Sequence, residues 1–273
     1  MHPWPPRKDD EPLDWGDPPV EPPPPPSAGR SVRLGFSAVY DYLGTSLAVS
    51  LLTFVVVFFA LSFLYVGLQR LPDPKLRAVG AMMTAVVLLA APIVLGPFMA
   101  GLYTLARAMF QRDDPHIFDL FRGARKLARP AWALCYAETV ITSVLVCDTL
   151  WLISRPSTAI KAAGVGAGYI LLFWLMTAVY HWPLLVEQGK PLGTTLKRGV
   201  LLALANPFYS LAFALLTLVM TLGPALVFAS FKNGPAILIP VSLLWGALLP
   251  ALHTSAALEI LRKYPDPNGS QDA

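Results

Sequence analysis

The sequence predicts an all-α fold: a polytopic membrane helix bundle of about six transmembrane helices, with amphipathic helices on its cytoplasmic surface. Three observations lead there. Of the 273 residues, 55% are apolar or aromatic and only 14% are charged, too few to clothe a water-soluble domain of this size. Six apolar runs, 44–68, 78–106, 131–153, 158–186, 203–231 and 236–261, are each long enough for the ~20 residues that cross a ~30 Å hydrocarbon core. Fifteen of the 21 Lys and Arg lie in alternate connections between those runs. The polar–apolar alternation of an outer-membrane barrel does not occur.

Residues 1–37 precede the first run. Eleven prolines fall within 1–29, five of them in the block Pro22 to Pro26, with six acidic residues among them. Such a composition cannot bury a core, so an extended, disordered cytoplasmic arm is expected, and a shorter disordered tail over 265–273. Residues 38–264 then form the transmembrane domain. No small-residue cleavage site follows a short apolar stretch, which makes the first run a retained helix rather than a signal peptide. Pro92, Pro97, Pro183, Pro224, Pro240 and Pro250 lie inside the runs. Each removes a backbone donor and bends its helix, either to shape the bundle or to form a hinge.

Charge sets the orientation. The amino-terminal segment carries Arg7, Lys8, Arg30 and Arg33; the second connection Arg107, Arg112, Arg122, Arg125, Lys126 and Arg129; the fourth Lys190, Lys197 and Arg198; the tail Arg262 and Lys263. The opposite side holds Arg70, Lys75, Arg77, Arg155, Lys161 and Lys232. By the positive-inside rule both termini are cytoplasmic.

The second connection predicts a helix of its own. Asp114–Pro115 reads as an N-cap and first-turn pair, and Ile117, Phe118, Phe121, Ala124 and Leu127 follow at helical spacing, with Arg122, Arg125, Lys126 and Arg129 on other faces, until Pro130. Such a helix either lies on anionic lipid of the inner leaflet or docks a cytoplasmic protein such as a transporter ATPase. The fourth connection repeats it more weakly. Pro115 and Arg122–Gly123 match Pro191 and Arg198–Gly199 at a constant offset of 76, which suggests an internal parallel repeat and gives Lys197 and Arg198 the same surface role.

From here the chain resembles a family. Pro92-Ile93-Val94-Leu95-Gly96-Pro97, Ala100-Gly101-Leu102-Tyr103, Arg107 and Asp119-Leu120-Phe121-Arg122 are similar to segments of the YesL-like family of bacterial membrane proteins. Pro183-Leu184-Leu185, Leu196-Lys197-Arg198 and Ala205-Asn206-Pro207 continue the likeness over roughly residues 88–261. The resemblance implies a protein of the bacterial inner (plasma) membrane with no assigned activity, associated with carbohydrate uptake through the transporters it accompanies. It carries over no catalytic residue, and the proline-rich arm and first run depart from the family pattern.

Few residues in the runs can carry chemistry. Glu138 lies seven residues into the third run, where a carboxylate must be paired, protonated or wetted. With the topology above, His181 and His253 fall at the same depth, and Thr142 follows Glu138 one helical turn on. These four are the candidate intramembrane polar cluster: either a polar pocket or proton path, or hydrogen-bonded glue between helices.

Other features read structurally. Gly164-Val165-Gly166-Ala167-Gly168 opens a membrane helix and lacks the Lys-Ser or Lys-Thr of a phosphate loop, so Gly164 and Gly168 suit close helix packing, within the chain or in a homo-oligomer. Cys135 and Cys147, twelve apart on one helix, cannot bridge each other, and no metal-ligand spacing occurs. Trp132, Trp151 and Trp182 read as interfacial anchors. No paired acids, nucleophile with a base, or cofactor motif appears, so neither an enzyme nor a cofactor is expected. Basic residues that follow topology give no reason to expect nucleic-acid binding. The expected function is accessory to, or part of, a solute transport system; the alternative is a permease using the inner-half polar cluster.

Overall fold

The computed structural model describes residues 25–111, 114–189, 191–230 and 234–264. Among these the chain is all-helical: α1 Ala28–Asp41, α2 Leu43–Arg70, α3 Arg77–Gln111, α4 Ile117–Lys126, α5 Ala128–Ile153, α6 Thr158–Gln188, α7 Leu192–Ala205, α8 Pro207–Ser230 and α9 Gly234–Lys263. Three of them, α3, α5 and α6, are long and apolar enough to cross a membrane. Two bent pairs raise the number to five if each is one span: α1 with the start of α2, bent by 96°, and α7 with the start of α8, bent by 111°.

Local chemistry explains the breaks. Asn206 leaves helical geometry at φ −138° and ψ 64°, as the residue before Pro207 must when the proline ring crowds it. Leu127, at φ −104° and ψ 13°, separates α4 from α5. Gly189 ends α6 with φ 59°, a left-handed cap whose N–H reaches the Leu185 carbonyl at 2.9 Å.

Several expected boundaries move. Residues 28–37, assigned to the extended arm, begin α1, because partners on α9 complete a helix that composition alone does not support. Asp114–Pro115 is not the cap of α4. His116 is, with its N–H donated to Asp119 Oδ2 at 3.0 Å. Nor does Pro130 end α4; it stands in the first turn of α5, where no backbone donor is needed. The run 203–231 starts in α7 and is broken at Asn206. Residues 1–24 of the arm, the tail 265–273, Arg112, Lys190 and Lys232 lie outside the described residues.

Among the residues whose burial is described, the core lies toward one end. Buried apolar residues of α3 run from Ala100 to Met109, those of α6 from Met176 to Leu185 and those of α9 from Ala247 to Ile260. The three helices pass one another in the same direction there, with Tyr103 stacked on Trp182 and beside His253. Toward the other end, Leu89, Ile93 and Val94 of α3, Val144 and Leu150 of α5, and Val165, Tyr169 and Ile170 of α6 face outward. Exposed side chains of that kind suit hydrocarbon rather than water. The core end is also the basic one, since Arg122, Arg125, Lys126, Lys197, Arg262 and Lys263 belong to α4, α7 and the last turn of α9.

Candidate functional site

The polar centre of the bundle is built on Glu138. Its Oε1 lies 3.0 Å from His181 Nδ1, and its Oε2 accepts the indole N–H of Trp182 at 2.7 Å. A carboxylate only accepts, so Nδ1 carries the proton in the neutral ring and Nε2 is a bare acceptor. That Nε2 is buried with no hydrogen-bond partner and looks onto Gly199 of α7. Trp174 packs its ring 5.3 Å from the His181 ring, and its Nε1–H donates to Thr142 Oγ1 at 2.9 Å. Of the predicted cluster, Glu138, His181 and Thr142 therefore share one network.

His253 belongs to a neighbouring one. Tyr103, stacked 6.0 Å from Trp182, brings its hydroxyl to 2.7 Å from His253 Nδ1, and Thr217 Oγ1 lies 2.7 Å from Nε2. Thr217 gives its own proton to the Phe213 carbonyl at 2.8 Å. Thr217 must then accept from Nε2–H, which makes Nδ1 the acceptor of the Tyr103 proton. The chain Tyr103 to His253 to Thr217 to the Phe213 carbonyl has one direction and ends on an atom with no proton to pass on. Among the described residues His253 is linked to Glu138 through the stacked Tyr103 and Trp182.

Beneath this centre, toward the basic end, Arg107 and Glu187 pair at 2.8 Å, with a second contact at 3.3 Å. They border a crevice of about 10 Å³, room for one water, that Thr254 also lines, its Oγ1 buried without a hydrogen-bond partner.

A second polar cluster joins α1 to α9. Glu259 accepts the Ser27 N–H at 2.9 Å, the Ser31 hydroxyl and an Arg30 N–H at 3.4 Å. Ser31 also meets the Tyr209 hydroxyl at 2.7 Å, and Ser255 donates to the Ser31 carbonyl at 2.8 Å. Sequence reasoning missed Glu259, Ser31 and Tyr209, as it missed Tyr103, Trp174 and Thr217. Only Glu259, an acid inside the last apolar run, carried a signal.

Trp182 corrects an expectation. It is buried at 5% exposure and bonded to Glu138 rather than anchored at a lipid surface, because α6 turns it into the core. Trp132 and Trp151 are exposed. Gly164 and Gly168 both face α5 of the same chain: a Cβ on Gly164 would meet Ile153 Cγ1 at 2.8 Å, and one on Gly168 would meet Thr149 Cγ2 at 3.7 Å. Arg122, Arg125, Lys126, Arg129 and Lys197 are exposed, Arg122 pairing with Asp119 at 2.9 Å, whereas Arg198 reaches the Tyr264 carbonyl at 3.4 Å. The two Arg–Gly pairs occupy equivalent places. A Cβ on Gly123 would lie 2.6 Å from Thr104 Cβ of α3, and one on Gly199 would lie 2.6 Å from His181 Cδ2 of α6. Among the described residues no group of three or more His, Cys, Asp or Glu is placed to hold a metal ion.

Comparison with protein-family models, with curated proteins and with solved structures finds no match.

Proposed function

We propose that this chain is a six-span protein of the bacterial inner membrane, with both termini cytoplasmic, that serves as an accessory component of a solute transport system. The solute is a carbohydrate by the YesL-like resemblance, and the partner is a permease subunit or ATPase at the cytoplasmic face. One observation carries the accessory reading over the permease reading: the His253 chain consumes its donors and acceptors internally and ends at the Phe213 carbonyl. A group so arranged holds α3, α8 and α9 in register and offers no onward proton step. The Glu138 pair does the same for α5 and α6. Three basic residues on the outer side of α4, Arg122, Arg125 and Lys126, give a partner or a lipid surface somewhere to act.

Chemical crosslinking of native membranes followed by purification tests this. A transporter subunit recovered in fixed ratio is the expected result; recovery of the chain alone from crosslinked membranes contradicts it. The permease reading is favoured by one feature, the buried and unpartnered His181 Nε2 facing Gly199 of α7, and it requires solute flux in liposomes that contain this chain alone.

A further inference from the structure

Each of the three long helices that form the core carries one short helix on its basic end. α1 packs on α9, α4 on α3 and α7 on α6, and in each pair a glycine of the short helix makes the approach possible. A Cβ on Gly35 would lie 2.8 Å from Leu252 Cδ2, and the corresponding distances at Gly123 and Gly199 are both 2.6 Å. These anchoring points, Leu252, Thr104 and His181, lie eleven, seven and seven residues before the ends of their helices. At 1.5 Å per residue that is within ~17 Å of the basic ends. With lengths of 30 to 35 residues, ~45 to 52 Å, the long helices exceed the ~30 Å hydrocarbon core and bring the short ones to headgroup depth.

What the short helices turn outward is chemically uniform. α1 exposes Phe36 at 53% and Tyr40 at 76% beside Arg33. α4 exposes Phe118 at 72% and Phe121 at 54% beside Arg125 and Lys126. On α7, Leu201 and Leu204 follow Lys197 at helical spacing and lead to Phe208, 86% exposed at the head of α8. Acids are few: Asp41 ends α1 and Asp119 is engaged by Arg122 and by the cap of α4. Exposed apolar side chains beside cations would be poorly placed in water and suit the boundary between acyl chains and anionic headgroups.

We propose that α1, α4 and α7 form an interfacial girdle that binds anionic phospholipid of the inner leaflet, with one cation set on each helix: Arg33, Arg125 and Lys197. This does not rest on the transport reading, because the lipid is a ligand of the fold whatever the partner.

The test uses the full-length protein in mild detergent, with phosphatidylglycerol or phosphatidylcholine titrated in, and the Tm and lipid retained in native mass spectrometry recorded. Phosphatidylglycerol raises the Tm more than phosphatidylcholine does. The triple variant Arg33→Gln, Arg125→Gln, Lys197→Gln keeps the lipid-free Tm and loses that difference, with retention falling on the order of fivefold per cation removed. An equal response to both lipids overturns the proposal. So does an equal shift with glycerol phosphate, which would make the site one for free phosphate, or capture of a single protein rather than lipid by a photocrosslinker at position 125 in cells.

Discussion

Gly199→Ala places a methyl group 2.6 Å from His181 Cδ2 and 2.9 Å from Nε2, distances that real Cβ contacts essentially never show. The ring cannot simply swing aside, since Glu138 holds Nδ1 at 3.0 Å and Trp174 packs against it at 5.3 Å. Either α7 lifts from α6 or the Glu138 bond lengthens. Overpacking of this kind costs ~1 to 3 kcal/mol. Working against it, Ala in a helix interior is favoured over Gly by ~1 kcal/mol. The net effect is a loss of ~0 to 2 kcal/mol, too close to zero for a single variant to decide. A double-mutant cycle decides it. In a His181→Ala background the methyl group has room, only the helix preference remains, and Gly199→Ala stabilises by up to ~1 kcal/mol. Unfolding in a fixed detergent mixture should therefore give a coupling of ~1 to 3 kcal/mol between the two positions. Equal effects of Gly199→Ala in both backgrounds would refute the reasoning, because they would mean that Gly199 does not bear on the His181 ring.

Other expectations follow from the same contacts. Glu138→Gln replaces an acceptor of two N–H groups with an amide that can accept at one oxygen only, so stability should fall by ~1 to 3 kcal/mol, with a change in Trp emission as Trp182 loses its partner. Thr217→Val keeps the shape but strands the His253 Nε2–H, and a similar loss of ~1 to 3 kcal/mol should appear in thermal unfolding, while Ser143→Ala, outside both networks, should leave Tm unchanged. Glu259→Gln weakens the contacts that hold Ser27, Arg30 and Ser31, so limited proteolysis should cut within residues 28–41 faster than in the wild type and before helices α2 to α9 are attacked. A reporter fused after Tyr264 should be active only in its cytoplasmic form; an external signal would reverse the orientation drawn from the basic residues.

How much could be read beforehand depended on how local the cause was. Among the described residues the apolar runs fall on helical segments, because lipid-compatible helices need only uninterrupted apolar sequence, but three to five helices rather than six are long and apolar enough to cross a membrane, and the run at 203–231 is broken at Asn206–Pro207. Glu138 was grouped with both His181 and His253 from depth alone, and only His181 bonds to it. Helix rotation was not legible. It decides that Trp182 faces Glu138 rather than lipid, and that His253 meets Tyr103 and Thr217, which look like ordinary members of apolar helices. α1 was hidden for a different reason. Its Ser31 is bonded to Glu259, 228 residues away, so the contacts that hold this helix are not local in sequence.

The accessory reading turns on whether the polar centre holds helices together or conducts. Purified wild-type chain and Glu138→Gln, each alone in liposomes and each confirmed as folded, can be compared for uptake of a panel of sugars and for proton flux. The account predicts no flux above empty liposomes for either protein and a lower unfolding temperature for Glu138→Gln. Flux by the wild type that vanishes in a folded Glu138→Gln variant would contradict it and make the Glu138–His181 pair part of a transport path.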